Sequence, residues 1–442
     1  MTNTKFQMNS NEPNSKFQTR LGHLIIGIWN LLGVWCLGFG IWLRFSLLAL
    51  LLFILFPNVS FCQTPIKVGA LIPFTGRWGE SGRECARGML DAAKWINQQG
   101  GVYGRRLEVV LIEDSSQVTE TIAAYRKLNE TDQVVLLYTY TAETGLTLLP
   151  HIQLGRIPTF MGSLPAPYAN PSKTPFFFSV IPTPLDLARI AVKFVAEQSG
   201  TKAKKPKMVF IGSSDYVDRQ FLEEAKSSAD PFGVEVGPDI VLPDSFLRKE
   251  HGLTDQSSES VSALAGVMNR FRPDYSYLSL TSREAQALLK ETREIGFKTK
   301  WIAGPKAFDE NLASFEGVLG VQPVSPFGED VPGMAGIREA HLRWHPYDFH
   351  TLSFTEGWAT LQVVTVALRR SLTEYGVSRE RLRNSLESLE NYVMGGIVPP
   401  VTITSKDHRP STESRILIVK GGKLTPYTSF VSVGRDRGIS TP

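Results

Sequence analysis

The sequence predicts an α/β fold of two doubly wound lobes. Short apolar runs alternate with amphipathic stretches along most of the chain, the pattern of parallel sheets covered by helices on both faces. The alternation comes as two successive series without clear repetition. Of the 442 residues, about 380 follow an apolar leader, enough for two ordinary domains and too many for one core.

The leader comes first. Arg44 is followed by an apolar run, Phe45 to Phe56, and by Pro57-Asn58-Val59-Ser60-Phe61-Cys62. A basic residue, about 12 apolar residues and a short polar segment make a secretory signal. Upstream, Leu21 to Leu43 is interrupted only by His23 and Asn30 and is long enough to span a membrane. The signal reading is preferred, so residues 1–62 form a leader, of which 1–43 is a possible extension of the start. Cys62 could carry a lipid as first mature residue, but the bulky Phe61 before it argues against that. Cys36 and Cys62 fall in the leader, which leaves Cys85 alone and excludes an internal disulfide or a cysteine-based metal site. The net charge is +4; four cations (Lys5, Lys16, Arg20, Arg44) against Glu12 lie in the leader, so almost no excess remains and no nucleic-acid partner is expected.

The first series opens with Ile66 to Gly104. An apolar run ends at Pro73, a polar loop Thr75-Gly76-Arg77-Trp78-Gly79 follows, and Cys85, Met89, Ala92 and Ile96 then fall on one helical face. Asn97 and Gly100-Gly101 stop the helix. A loop between strand and helix lies beyond the carboxyl end of the strand, where open α/β sheets bind ligands. Further strands are expected at Leu107 to Ile112, Val134 to Tyr138 and Ile157 to Met161, with helices near 82 to 98, 117 to 130 and 144 to 154. The second series follows Phe176 to Val180. Its strands are Lys207 to Ile211, Val234 to Leu242, Asp274 to Leu280 and Lys300 to Ala303, and its helices lie near 185 to 199, 217 to 229, 259 to 271 and 283 to 295. The polar Ser245 to Ser260 stretch reads as a surface excursion. A long helix begins at Phe354-Thr355-Glu356-Gly357-Trp358-Ala359, and a shorter one spans about Ser378 to Leu389.

Motifs for catalysis are missing. The chain has no phosphate loop ending in Lys-Ser/Thr, no Gly-x-Ser-x-Gly elbow and no His-Glu-x-x-His pair. His341 and His345, with His350 nearby, could bind a metal from one helical face, but a solvated helix end before Pro346 is the preferred reading. No enzyme, cofactor or metal is expected.

The Ile66 to Gly104 segment, the Phe354 to Ala359 helix opening, and Met394-Gly395-Gly396 ahead of Thr402-Ile403-Thr404-Ser405-Lys406-Asp407-His408 occur in one order and spacing. Together they resemble the type I periplasmic solute-binding proteins of the branched-chain amino acid and amide group, over about residues 66 to 425. The resemblance implies a ligand cleft between the lobes and three hinge crossovers, near 181 to 185, 304 to 312 and 395 to 402. Lobe 1 would then be 63–182 plus 312–395, and lobe 2 would be 183–311 plus 396–442.

It also implies ligand contacts, each with a local alternative. Trp78 would lie over the ligand, or anchor its own loop. Thr141 would hold a ligand carboxylate with backbone amides at a helix start, or simply cap the helix. Gly162 and Ser163 would close the first-lobe half of the site, or form a plain turn. From the second lobe come Tyr216, able to stack and hydrogen-bond across the cleft, and Thr281, which could equally cap the helix near Arg283.

Lys306 stands where amino-acid-binding relatives carry an acid for the ligand ammonium. It turns to solvent, or meets an anionic or neutral acceptor on the ligand, or is neutralised by Asp309, Glu310 or Glu143; buried and unpaired, its pKa would fall. Free leucine, isoleucine and valine should therefore bind poorly. The whole implies a monomeric receptor in the periplasm or on the outer face of the cytoplasmic membrane, handing a small polar or carboxylate- or amide-type ligand to the membrane subunits of an ABC permease. The alternative is a ligand-sensing module that signals to a membrane receptor or envelope enzyme.

Overall fold

A computed structural model describes residues 64–114, 117–199, 204–213, 216–243 and 257–435. The leader, Cys62 and most of the Ser245 to Ser260 excursion lie outside the described residues.

The first sheet is built from β1 (Ile66–Ile72), β2 (Leu107–Glu113), β3 (Leu136–Thr139), β4 (Thr159–Met161) and β5 (Phe177–Phe178). All its pairings are parallel and the order is β2-β1-β3-β4-β5. Its helices are α1 (Gly79–Gln98), α2 (Val118–Arg126), α3 (Ala142–Thr147) and α4 (Leu149–Gly155). Strands covered on both faces need apolar residues at every position, which is why Ile66–Ile72 shows no polar alternation and is buried almost throughout. In this strand order the crevice opens where β1 and β3 diverge, beyond their carboxyl ends.

The chain then enters a second sheet. Helix α5 (Pro184–Ser199) packs on it, followed by β6 (Lys207–Ser213), α6 (Tyr216–Ser227), β7 (Glu235–Val236), β8 (Ile240–Leu242), α7 (Ser257–Phe271), β9 (Tyr275–Ser279), α8 (Ser282–Ile295), β10 (Lys300–Ala303) and β11 (Leu319–Gln322). It returns through α9 (Met334–Trp344), α10 (Leu352–Ser371), α11 (Arg379–Leu386) and a two-stranded ribbon of β12 (Ser388–Tyr392) and β13 (Val401–Thr404). The final strands β14 (Glu413–Lys420), β15 (Lys423–Pro426) and β16 (Val431–Ser432) complete the second sheet, in the order β15-β14-β11-β10-β9-β6-β7, with β8 also on β6 and β16 on β14. The sequence reading merged β7 and β8 into one strand and did not name β11 or β14.

Strand membership shifts two of the expected crossovers. The chain passes from the first sheet to the second between β5 and α5. The second crossover was expected near 304 to 312, but β11 pairs in parallel with β10 and antiparallel with β14, so the chain stays in the second sheet through Gln322 and crosses between 323 and 333. The chain re-enters the second sheet only at β14, after the separate β12–β13 ribbon and later than the 395 to 402 expected. The Gly395-Gly396 turn instead braces the second crossover: Ser325 N–H donates to the Ile397 carbonyl at 2.8 Å and Gly333 N–H to the Gly395 carbonyl at 2.9 Å.

Helices α9 and α10 come back to the first lobe and pack on α1. The α1–α10 contact is backbone to backbone. A Cβ on Gly88 would sit 2.0 Å from the Phe354 carbonyl oxygen, and one on Gly357 would sit 2.2 Å from that of Cys85. Only glycine permits so close an approach. The lock fixes the rotation of α10 and with it the direction of Glu356, the residue before Gly357.

Candidate ligand site

Between the carboxyl ends of the two sheets lies a cavity of about 120 Å³, reached by Trp78, Tyr140, Thr141, Gly162, Ser163 and Tyr168 from the first lobe and by Phe221, Tyr277, Leu280, Pro305 and Lys306 from the second. At about 10–15 Å³ per water, it holds on the order of ten water-sized groups, the scale of a small metabolite rather than a peptide. Its wall is chiefly aromatic and aliphatic, with Pro165, Pro167, Pro182 and Pro184 along one side.

The first-lobe contacts follow from the switch point. Trp78 ends the loop after β1 and meets Tyr140 edge-on, with ring centroids 6.4 Å apart. Thr141 caps α3: Thr144 N–H donates to its Oγ1 at 3.3 Å. The Thr144 hydroxyl donates to the buried carboxylate of Asp114, so its oxygen is left to accept from Thr141, 2.8 Å away. The proton of Thr141 is thereby committed inside the protein. The residue lines the cavity and is also the cap that local reasoning allowed. Gly162 lets the chain close on its neighbours, since a Cβ there would lie 2.6 Å from the Tyr138 hydroxyl and 2.7 Å from the Tyr140 carbonyl oxygen.

On the second lobe the expectations divide. Thr281 does not line the cavity. It caps α8 in a reciprocal box, its Oγ1 accepting from Glu284 N–H at 3.3 Å and its N–H donating to Glu284 Oε2 at 2.9 Å. Tyr216 begins α6, and its side chain lies outside the described portion. Tyr277, from β9, supplies a buried ring and hydroxyl instead.

Lys306 lines the cavity and is not unpaired. Its Nζ donates to Glu356 Oε2 at 2.8 Å and Oε1 at 3.0 Å, and lies 4.6 Å from the centre of the Tyr140 ring. Both side chains are well shielded, 15% and 7% exposed. None of the three acids considered from the sequence is the partner; the acid arrives from α10, some fifty residues downstream. The expected fall in pKa is therefore reversed. Burial opposes the ammonium, but the Glu356 carboxylate, with Tyr140 second, outweighs it and the net shift is upward.

Two further ionic contacts join the lobes at the cavity mouth. Arg77 Nε donates to Glu284 Oε1 at 2.7 Å and Nη2 to Oε2 at 3.1 Å, and Arg283 pairs with Glu80. Of the charged residues lining the cavity, Arg77 and Lys306 are thus paired, and Glu143 and Glu224 also have partners. The Tyr140 hydroxyl, by contrast, is buried without a hydrogen bond of good geometry, although Ser81 stands beside it.

Sequence reasoning missed Tyr140, Tyr277 and Glu356. Tyr140 adjoins Thr141 in a segment already singled out, and Glu356 is the lone acid in an apolar helical stretch; both signals were readable. The three histidines do come close, with His341 and His350 ring centroids 5.1 Å apart. Nevertheless, among the described residues no group of three or more His, Cys, Asp or Glu is arranged to hold a metal.

Two doubly wound lobes with a cavity between their carboxyl edges are the architecture of a bilobal ligand receptor. The periplasmic binding protein family model matches residues 65–423, and the chain belongs to that family. A Leu/Ile/Val-binding protein homolog 7 from Brucella suis biovar 1 (strain 1330) is 25% identical over 263 residues, 58% of this chain and 63% of the relative. The alignment thus spans less than two thirds of the curated relative. A branched-chain amino acid ABC transporter protein from Thermus thermophilus with bound valine superimposes with a TM-score of 0.73 at 18% identity, covering 84% of this chain and 97% of that one. A solute-binding protein from R. palustris in complex with benzoate gives a TM-score of 0.67 at 17% identity, covering 83% and 98%. At these identities the structures establish the fold.

Proposed function

We propose that this protein is the solute-binding receptor of an ABC importer, exported from the cytoplasm, and that its ligand is a small, largely apolar carboxylate or amide without an α-ammonium group. One contrast carries the ligand class: every charged side chain lining the cavity already has a partner, whereas the Tyr140 hydroxyl has none of good geometry. The Tyr140 side chain borders the cavity, and a ligand acceptor that reaches its hydroxyl, shielded from solvent in this form, would satisfy it. A ligand that brings an ammonium finds no carboxylate to spare and is left desolvated. Apolar walls supply the rest of the affinity through burial. The benzoate-bound neighbour holds a carboxylate without an ammonium, in keeping with this reading, whereas the valine-bound one holds an α-amino acid. Closure of the lobes would be sealed by the Arg77–Glu284 and Arg283–Glu80 pairs, and the closed form is what a permease would recognise.

Calorimetry on the mature chain with benzoate, 4-methylpentanoate, leucine and valine tests the ligand class. The two acids should bind at least tenfold more tightly than the amino acids, and tight leucine binding would overturn it. Small-angle scattering should show a more compact particle at saturation. Mass spectrometry of the processed N-terminus should place it near Cys62, and a chain in membranes still starting at Met1 would oppose export of a soluble receptor.

A further inference from the structure

We infer that Lys306 is a built-in substitute for a ligand ammonium, and that it is the residue that bars cationic ligands from a site which otherwise contains the acid to bind them. This deepens the proposed function and rests on its placement of the ligand in the interlobe cavity. The geometry is layered. Lys306 borders the cavity, while Glu356 does not; the ammonium stands between the cavity and the carboxylate. Both Glu356 oxygens accept from Nζ, at 3.0 and 2.8 Å. On its cavity side the same ammonium lies 4.6 Å from the Tyr140 ring centre, the face-on environment that also suits a ligand ammonium.

The two partners come from opposite lobes, Lys306 from the loop after β10 and Glu356 from α10. The pair therefore forms as the lobes close, at the point where a ligand would otherwise bridge them. The lock of Gly357 against Cys85 fixes the backbone of Glu356 independently of the lysine. Removing the lysine ammonium leaves a buried carboxylate on that backbone beside an aromatic ring, next to a cavity with room for a cation.

The test uses the full mature protein as wild type, as Lys306→Met, and as the charge-neutral double variant Lys306→Met/Glu356→Gln. Isoamylamine, leucine and 4-methylpentanoate serve as probes in calorimetry, with thermal melting alongside. Lys306→Met should gain at least tenfold in isoamylamine affinity over wild type, and the amine should raise its melting temperature. The double variant should lose that gain, while discriminating at least tenfold less than wild type between leucine and 4-methylpentanoate. The double variant leaves no unpaired buried charge, so its result stands even if Lys306→Met fails to fold. Unchanged amine affinity in Lys306→Met, or unchanged discrimination in the double variant, overturns the inference. Failure of 4-methylpentanoate to bind wild type would instead remove the carboxylate reading, and the amine series would still score Lys306.

Discussion

Replacing Glu284 by Gln should weaken ligand binding although Glu284 does not line the cavity. Its carboxylate has two tasks: one oxygen completes the cap of α8, and both accept from Arg77 across the cleft. Glutamine keeps the cap, since its amide oxygen accepts from Thr281 N–H as well as a carboxylate does. What it loses is the charge opposite Arg77 and, because the NH2 group takes the place of Oε1, the acceptor for Arg77 Nε. A hydrogen bond to a charged group contributes about 1.5–3 kcal/mol and a neutral one about 0.5–1.5. Glu284 is 1% exposed and Arg77 21%, so part of the difference is screened by water. We take a loss of about 1–1.5 kcal/mol from the closed form, or roughly a five- to tenfold weaker dissociation constant. The full loss appears if the free receptor rests open, because ligand then has to supply the closure free energy. Calorimetry with the wild-type ligand measures the constant, and scattering of the free protein shows whether the variant is more open. An affinity within twofold of wild type, with no change in radius, would refute the role of this pair in closure.

Other expectations concern packing and protonation. Gly162→Ala puts a methyl 2.6 Å from the Tyr138 hydroxyl and 2.7 Å from the Tyr140 carbonyl, costing about 1–3 kcal/mol of stability. Ligand affinity should fall at least tenfold in calorimetry, and wild-type affinity would show that the loop yields without cost. Glu310 lies where the second lobe meets the start of α10; Leu352 N–H donates to its Oε2 at 2.9 Å and Oε1 has no partner. Burial, then the charge of Asp309, push its pKa up to about 8. The folded protein thus holds a proton that the unfolded chain releases near pH 4.5, so this site costs stability progressively as pH rises from about 4.5 through 8. Glu310→Gln should flatten the decline of melting temperature over that window. Parallel melting profiles for variant and wild type would show that the proton is not held.

The alternation of apolar runs and amphipathic stretches was a reliable guide where strands are buried on both faces. Ile66 to Ile72 appears where periodicity put it, because burial forces composition there, and Lys300 to Ala303 also matches although only its last two residues are buried. β11 and β14 were harder, since Leu319-Gly320-Val321-Gln322 is too short to stand out and β14 belongs to the second sheet only through a pairing with it. The displaced crossovers have the same origin: Gly and Pro mark turns, and a turn at Gly304-Pro305 or Gly395-Gly396 does not say whether the chain changes lobe. At the site, Trp78, Thr141, Gly162, Ser163 and Lys306 border the cavity because position after a strand is local information. The partner of Lys306 is not local. Glu356 meets it only because α10 crosses back onto α1, a contact that no spacing rule near residue 306 reveals.

The backbone lock between Gly88 and Gly357 also governs when this protein can become competent during its synthesis. A ribosome emits α1 early, but the helix that seats on it and the acid that follows into the site come more than 260 residues later. Until α10 emerges, the outer face of α1, which the returning α9 and α10 cover in the finished fold, has no native partner. A nascent chain truncated between about residues 322 and 352 should therefore carry most of the second sheet and all the residues that line the cavity yet neither fold stably nor retain ligand. On the proposed export route such an arrangement keeps the chain unfolded and threadable until α10 has been made.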